Sequence, residues 1–376
     1  MHLSSNIIQR HPTRLRASRL QPPTIGALAN WLIGEFKPYI FAAVMKPIAD
    51  ALPLLQGPKK IFITTHHKPD GDAIGSMLGL YHYLTLKGHS VTPVAPSEVP
   101  DFLEWMPGVA HVINYEVQPE LAQKALAESE LIYCVDFNDF SRTKALEPFL
   151  AAASQPKLMI DHHMFPKPVW DYGMSEPDKS SACEMVYDYI NLSGDNALIN
   201  LDIATCLYTG AMTDTGSFRY PVTTGAVHRM IADLKDRGLV HGPIHEAVFD
   251  SWSANRMRFV GYMLIEKMEI FPQWQAGLIT IARKDLRLFN LNIGDTEGLV
   301  QYPLSIQGVR FSTLITERSD EIKLSFRSKG DFDVNKFARE HFSGGGHFNA
   351  SGGKSCESLN DTVARFNQIL SEFHPR

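Results

Sequence analysis

Four cysteines in 376 residues are few, and Cys134, Cys183, Cys206 and Cys356 never adopt C-x-x-C spacing. That excludes the usual thiolate zinc site and a disulfide framework, and it fits a reducing, cytoplasmic setting. No apolar run reaches the roughly 18 to 20 residues of a membrane span; the longest candidate, around Ile40 to Met45, is far shorter. The chain also lacks an excess of positive charge: 36 Lys and Arg face 41 Asp and Glu, for a net charge of -5. Long duplex nucleic acid, held through many phosphate contacts, is therefore not an expected partner. There is no low-complexity tract and no internal repeat, and 44% hydrophobic with 20% charged residues is the composition of an ordinary globular protein.

The length exceeds what one hydrophobic core commonly supports, so two domains are expected. Residues 1–45 stand apart, with Arg10, Arg14, Arg16, Arg19 and Lys37 against the single acid Glu35. This bias weakly resembles a transit peptide. A poorly ordered extension, or translation that naturally starts at Met45, is the preferred reading.

From Lys59 the pattern becomes α/β, with short apolar runs alternating with helical spacing. Ile61 to Thr65, Val91 to Ala95, Leu131 to Val135 and Lys157 to Ile160 read as strands, and Gly71 to Lys87 reads as a helix. Three of the four strands run into His66, Asp136 or Asp161. In an open parallel sheet the carboxyl ends of the strands line one crevice, so these groups are expected on one rim. Helices follow over Ser181 to Leu192 and Leu201 to Met212, and a largely helical stretch runs from Gly225 to Leu264 with a break near Gly242-Pro243. Beyond Glu266 the texture is β-rich, with strands expected at Ala276 to Ala282, Val309 to Glu317 and Glu321 to Phe326, then a glycine-rich loop and a helix near Thr362 to Phe373.

Four clusters carry the chemistry. His66-His67-Lys68-Pro69-Asp70-Gly71-Asp72 offers an imidazole and two carboxylates on a strand-to-helix turn, which Pro69 and Gly71 allow to bend tightly. Alone, D-G-D is a common turn. Asp136 leaves an apolar strand, where a carboxylate is often just a helix cap. Asp161-His162-His163 ends another buried strand and is harder to dismiss, while Thr213-Asp214-Thr215-Gly216 reads alone as a helix-end turn. Taken together, several aspartates with two or three imidazoles and no thiolate suit hard to borderline divalent ions. Two such ions about 3.5 to 4 Å apart can hold an attacking water and phosphoryl oxygens.

The order of these motifs resembles the DHH/DHHA1 phosphoesterases, and within them the oligoribonuclease and adenosine 3',5'-bisphosphate (pAp) phosphatase branch, the nano-RNases. The resemblance rests on His66-x-x-x-Asp70-x-Asp72, Asp136, Asp161-His162-His163, Thr213-Asp214-Thr215-Gly216 and Gly344-Gly345-Gly346-His347-Phe348-Asn349-Ala350-Ser351-Gly352. It covers the chain from about Met45 onward. It implies an α/β fold with an N-terminal parallel-sheet DHH domain (46–240), a helical linker (241–265), a smaller α/β DHHA1 domain (266–376) and an active site in the cleft between them. Carried over by motif, His66, Asp70 and Asp136 would hold one ion and Asp72, Asp136, His162 and Asp214 the other. Mn²⁺ is the expected ion, with Mg²⁺ or Co²⁺ as substitutes. His163 would lie by the scissile phosphate, with Asp161 orienting an imidazole. The His-x-x-x-Asp spacing selects His66 over His67.

In the second domain Arg327, within Ser325-Phe326-Arg327-Ser328-Lys329, is suited to bidentate phosphate recognition. Gly344, Gly345 and Gly346 would let backbone N–H groups approach a phosphate, and His347 would add a donor. A surface arginine and a flexible turn are the plain alternatives. Asn349-Ala350-Ser351 departs slightly from the commoner family pattern. The catalytic candidates are therefore His163, Asp136 and Asp161, and the substrate-contact candidates Arg327, Ser328, Gly344, Gly345, Gly346 and His347. The expected substrates are short single-stranded RNA or pAp, with cyclic di-AMP or its linear product as the nearest competitor, inorganic pyrophosphate or polyphosphate as a further one, and a silent RNA-binding or regulatory module as the reading of another class. Phe218, Tyr220 and Phe348 are candidates to stack a base, and a homodimer is compatible with all of this.

Overall fold

The computed structural model describes residues 45–291 and 294–372. The basic segment discussed above lies outside the described residues, apart from Met45. Two sheets organise the chain. The first has seven strands, β1 (Lys46–Pro47), β2 (Lys60–Thr64), β3 (Ser90–Ala95), β4 (Ile113–Asn114), β5 (Leu131–Val135), β6 (Lys157–Asp161) and β7 (Tyr172–Ser175). All pair in parallel, in the order β1-β7-β6-β5-β2-β3-β4. Fully buried strands need not alternate in polarity, which is why β2, β5 and β6 appear in the sequence as continuous apolar runs.

Alternate residues nevertheless feed opposite layers. Ile61, Ile63, Tyr133, Val135 and Ile160 pack with the Gly71–Leu86, Ala182–Leu192 and Leu201–Asp214 helices. Phe62, Ile132, Cys134 and Met159 pack on the other side with Ala122 and Leu126 of the Pro119–Glu128 helix and with Trp170. From β2 the chain winds one way to β3 and β4, and it returns to the other side through β5, β6 and β7. The switch of direction falls between β2 and β5, where an open α/β sheet leaves a crevice at its carboxyl edge. β7 occupies a stretch expected to be a loop; its four residues are too few, and too polar at Ser175, to register as a strand.

The Gly71–Leu86 helix touches the Leu201–Asp214 helix along Gly71, Gly75 and Gly79, spaced four apart on one face. A Cβ on Gly75 would lie 2.6 Å from the Cys206 carbonyl, and one on Gly210 would lie 2.9 Å from Asp72 Cα. This close seam fixes the spacing between Asp72 at the start of one helix and Asp214 at the end of the other.

Three helices, Gly225–Asp236, Gly242–Phe249 and Ala254–Tyr262, lead to the second sheet, broken near Gly242-Pro243 as the sequence indicates. That sheet holds β8 (Met268–Phe271), β9 (Ala276–Ile281), β10 (Phe311–Glu317), β11 (Ile322–Ser328), β12 (Gly345–Gly346) and β13 (Ala350–Ser355), in the order β12-β13-β11-β10-β9-β8. Phe311, Phe326, Phe337, Phe342 and Phe366 form its main core beneath the Val334–His341 and Leu359–Glu372 helices. No described helix is long and apolar enough to cross a membrane. Cys134, Cys183 and Cys206 are buried free thiols.

The glycine seam gives a paired expectation. Gly75→Ala should destabilise the protein by about 1–3 kcal/mol through overpacking. Gly261→Ala, in a helix with nothing within 4 Å of the new methyl group, should be neutral or stabilising by up to about 1 kcal/mol. Urea denaturation of both variants checks this, and equal midpoints would show that the seam is not tight.

Candidate metal centre and active site

β2, β5 and β6 are neighbours, and their carboxyl ends deliver His66, Asp136 and Asp161-His162-His163 to one spot. Asp136 leaves β5 with φ 62°, a left-handed conformation uncommon outside glycine and tolerated by Asp, which turns its carboxylate inward. Its Oδ2 lies 3.3 Å from His66 Nε2, and its Oδ1 lies 3.5 Å from His162 Nε2 and 3.6 Å from His163 Nδ1. His162 Nε2 also lies 3.8 Å from Asp72 Oδ2 and 3.6 Å from Asp214 Oδ2. Asp70 Oδ1 is 4.0 Å from His66 Nε2 while it caps the Gly71–Leu86 helix, accepting from the N–H groups of Asp72 and Ala73. For Asp70 the capping and ligand readings are therefore compatible.

Each inner group is braced from behind. His66 Nδ1 lies 3.1 Å from the His67 carbonyl and His162 Nδ1 lies 3.2 Å from the Lys179 carbonyl. Donation to those carbonyls leaves both Nε2 atoms free to face inward. Asp72 accepts from the backbone N–H groups of Ala182 and Cys183, at 2.6 and 2.9 Å, at the start of the Ala182–Leu192 helix. Asp161 is fully buried and accepts from both the N–H and Nδ1 of His163, the latter at 2.7 Å. Arg142 Nη1 donates to His163 Nε2 at 2.9 Å. A guanidinium can only donate, so His163 carries its proton on Nδ1, toward Asp161. His67 points away, with Nε2 3.1 Å from Glu116.

Whether this cluster suits cations can be judged from its charge. Burial, then the neighbouring Asp136 and Asp214, raises Asp72 well above the ordinary carboxylate range. Asp214 keeps 31% of its side chain exposed, yet burial among protein atoms and the nearby Asp70 and Asp136 push it up to about 7, against the pull of His162. Burial would raise Asp136 too, but the His162 and His66 imidazoles outweigh that and hold it well below its usual value. Burial alone would lower His162; Asp136, Asp214 and Asp72 raise it well above the ordinary imidazole value. Like-charged carboxylates this close cannot all ionise without positive partners, and Asp136 Oδ1 has no hydrogen-bond donor. Two sets of donor atoms, His66-Asp70-Asp136 and Asp72-His162-Asp214, each lie within 4.8 Å of one another. Oxygen and imidazole donors without sulfur fit hard to borderline divalent cations.

A cavity of about 350 Å³ opens over this cluster. Its opposite wall comes from the second sheet and its loops: Arg318, Lys323 and Arg327, with the single acid Glu297 among them, and Gly345, Gly346 and His347. The His347 ring lies 4.5 Å from that of His163 and 5.0 Å from that of His162, centroid to centroid. Burial, with the charges of His163 and His162, pushes His347 down to about 3, so it is neutral near pH 7.

Not every candidate reaches the cavity. Ser328 follows Arg327 on β11 and therefore faces the other side of the sheet, donating to the Phe332 carbonyl. The N–H of Gly344 goes to the Ala338 carbonyl and that of His347 to the Ala350 carbonyl, so the ends of the glycine run are spent internally. Gly344 instead allows close packing: a Cβ there would lie 2.0 Å from the Gly352 carbonyl oxygen. Asp72 and Asp161 stand behind the cavity lining. Phe218 and Tyr220 pack elsewhere, Tyr220 against Gly216 and Gln301. Arg142, Arg318 and Lys323 were missed. Lys323, Ser325 and Arg327 share one face by strand alternation, a signal the sequence did hold; Arg142 sits in the short, kinked 3₁₀ helix Phe140–Leu146, with none.

Residues 60–211 match the family model described as DHH family, N-terminal domain, and residues 286–372 match that of the DHHA1 domain. The chain belongs to the DHH/DHHA1 family. A crystal structure of an exopolyphosphatase-related protein from Bacteroides fragilis is 38% identical, with a TM-score of 0.83, covering 87% of this chain and 96% of that one. The bifunctional oligoribonuclease and PAP phosphatase NrnA of Thermus thermophilus is 29% identical over 310 residues, 82% of this chain and 87% of the relative. The cyclic-di-AMP phosphodiesterase PdeA of Listeria monocytogenes is 26% identical over 302 residues, 77% of this chain but 43% of the relative. This DHH/DHHA1 chain thus spans most of the first relative and less than half of the second.

If the carboxylate crowd is a cation site, a divalent ion at a hundredfold excess over its Kd should stabilise the fold by about 2.7 kcal/mol. Thermal unfolding with manganese or with EDTA measures this. Asp136→Ala should lose most of the difference; an unchanged response would mean that the ions bind elsewhere.

Proposed function

We propose that the protein is a metal-dependent phosphoesterase that hydrolyses short oligoribonucleotides and adenosine 3',5'-bisphosphate, using two divalent cations, with manganese as the working ion. The observation that carries this reading is the opposition of two walls: converging carboxylates and imidazoles on one side, and Arg318, Lys323 and Arg327 on the other, across about 350 Å³. A small, highly charged phosphate ester fits between them, and the chain spans nearly the full length of a relative named for both activities.

In this proposal His66, Asp70 and Asp136 hold one ion, and Asp72, Asp136, His162 and Asp214 hold the other. Such cations, when bound, polarise phosphoryl oxygens and make water more acidic. The chain's own residues do the rest. Arg327, with a planar guanidinium, grips the phosphate of the substrate distal to the bond cleaved, and Lys323 and Arg318 extend that positive wall. Gly345, Gly346 and His347 close over the phosphate from the second sheet. Asp161 holds the His163 proton on Nδ1 and so fixes the ring with Nε2 toward the scissile phosphate, as the acceptor for a proton that the attacking water gives up, and the buried carboxylate behind it stabilises the charge the ring then acquires. Arg142, beside that same Nε2, meets charge developing on the phosphoryl oxygen. The division into a catalytic domain at 46–240, a linker at 241–265 and a substrate-gripping domain at 266–376 belongs to the same reading.

Asp136→Ala should lower manganese-dependent hydrolysis more than about a hundredfold by removing the shared ligand. Asp161→Asn should cost about 10- to 100-fold while retaining metal-induced stabilisation. A panel of dinucleotides, five-mers, pAp, cyclic di-AMP and pyrophosphate, scored for initial rate, decides among substrates. Pyrophosphate or cyclic di-AMP turning over fastest would overturn the assignment, and near-normal turnover by Asp136→Ala would remove the bridging role.

A further inference from the structure

A second cavity of about 300 Å³ lies on the far side of Arg142 and His163, which line both cavities. Asn138 and Phe165 border it from the first sheet's loops, and Asn335 and Arg339 from the Val334–His341 helix. Among the described residues no acidic side chain lines it. Arg142 makes its contacts with the Asp136 carbonyl and His163, and Arg339 lies over the Phe165 ring, 5.6 Å from its centroid. Two arginines thus line a half-open space with no carboxylate among its described lining residues, an arrangement that favours an anion.

Phe165 is out of keeping with a structural role. Its side chain is 70% exposed, and it is held at φ 66°, a conformation costly for a bulky residue. An aromatic ring kept in solvent beside two guanidinium groups is the common equipment for a nucleobase and its phosphate, because every base presents a face to stack and arginine binds the backbone. The chemistry of the reaction supplies the need. A phosphate monoester has one ester arm, which the first cavity accommodates. A phosphodiester has two, and His163 stands between the two cavities.

We propose that this second cavity is a nucleotide subsite that takes the second ester arm of a phosphodiester, with its base on the open face of Phe165 and its next phosphate at Arg339. The proposal rests on the phosphoesterase reading above and deepens it: the subsite acts on oligonucleotides and is idle when the substrate is a nucleoside bisphosphate. Phe165 and Arg339 thereby set the preference between the two classes.

The test compares hydrolysis of a 5'-phosphorylated diadenosine dinucleotide with hydrolysis of pAp by the full-length protein in manganese. Stacking on one aromatic ring is worth about 5- to 150-fold. In Phe165→Ala the dinucleotide-to-pAp ratio of kcat/KM should fall more than about fivefold, and Phe165→Tyr should restore it; in Arg339→Ala the corresponding fall should appear with the 5'-phosphorylated trinucleotide, which carries the next phosphate; a smaller fall, or equal loss on both substrates, overturns the subsite. Binding is read separately in EDTA, with phosphorothioate-linked dinucleotides carrying 2-aminopurine at each position in turn. One position should be quenched by the wild-type protein and not by Phe165→Ala. Hydrolysis of neither substrate by the wild type would sink the phosphoesterase reading, and the fluorescence result would still decide the subsite: quenching independent of Phe165, or none, overturns it.

Discussion

The structure depends on an electrostatic conflict confined to the carboxyl edge of the first sheet. Asp72 and Asp136, both buried where negative charge is poorly solvated, gather with the more exposed Asp70 and Asp214 around two imidazoles. A fold can maintain such a crowd only by bracing each member. Asp72 is pinned by two backbone N–H groups, Asp70 by its helix cap, Asp136 by its place at the end of β5, and the two histidines by carbonyls behind them. The seam of glycines serves the same end. By letting two helices touch backbone to backbone, it holds Asp72 and Asp214 close enough to share His162.

Much of this arrangement was legible in the sequence. β2, β5 and β6 are buried on both faces, so their apolar runs are unbroken, and the polar residue that ends each run marks the rim of the sheet. That rule points to Asp136, to Asp161-His162-His163 and to the His66-His67 pair, in which the spacing to Asp70 selects His66. The turn at Asp70-Gly71-Asp72 was ambiguous because capping a helix and facing a cation make the same demand on a carboxylate. What was not legible depends on partners distant in the chain. Arg142 gains its meaning from His163 and from the Asp136 carbonyl, and neither contact leaves a trace in local spacing.

The second sheet shows where attention to periodicity would have helped. Arg327 and Ser328 cannot both face one cavity, because successive side chains on a strand point to opposite sides. Lys323, two strand repeats before Arg327, was the better companion. The glycine run was recognised as unusual for a different reason from the one the structure supplies. Gly344 is required by a backbone approach to Gly352, and much of the run's hydrogen-bonding capacity is used to hold its own turn. The domain-level reading of the α/β fold needed none of these details, since it follows from the change from strand-helix alternation to a β-rich texture.

The stacking of His347 on His163 joins groups from opposite halves of the molecule. Any shift of one half against the other would separate those rings and admit more water to the charged crowd. The relative placement of the two sheets is therefore itself part of the geometry of the charged cluster.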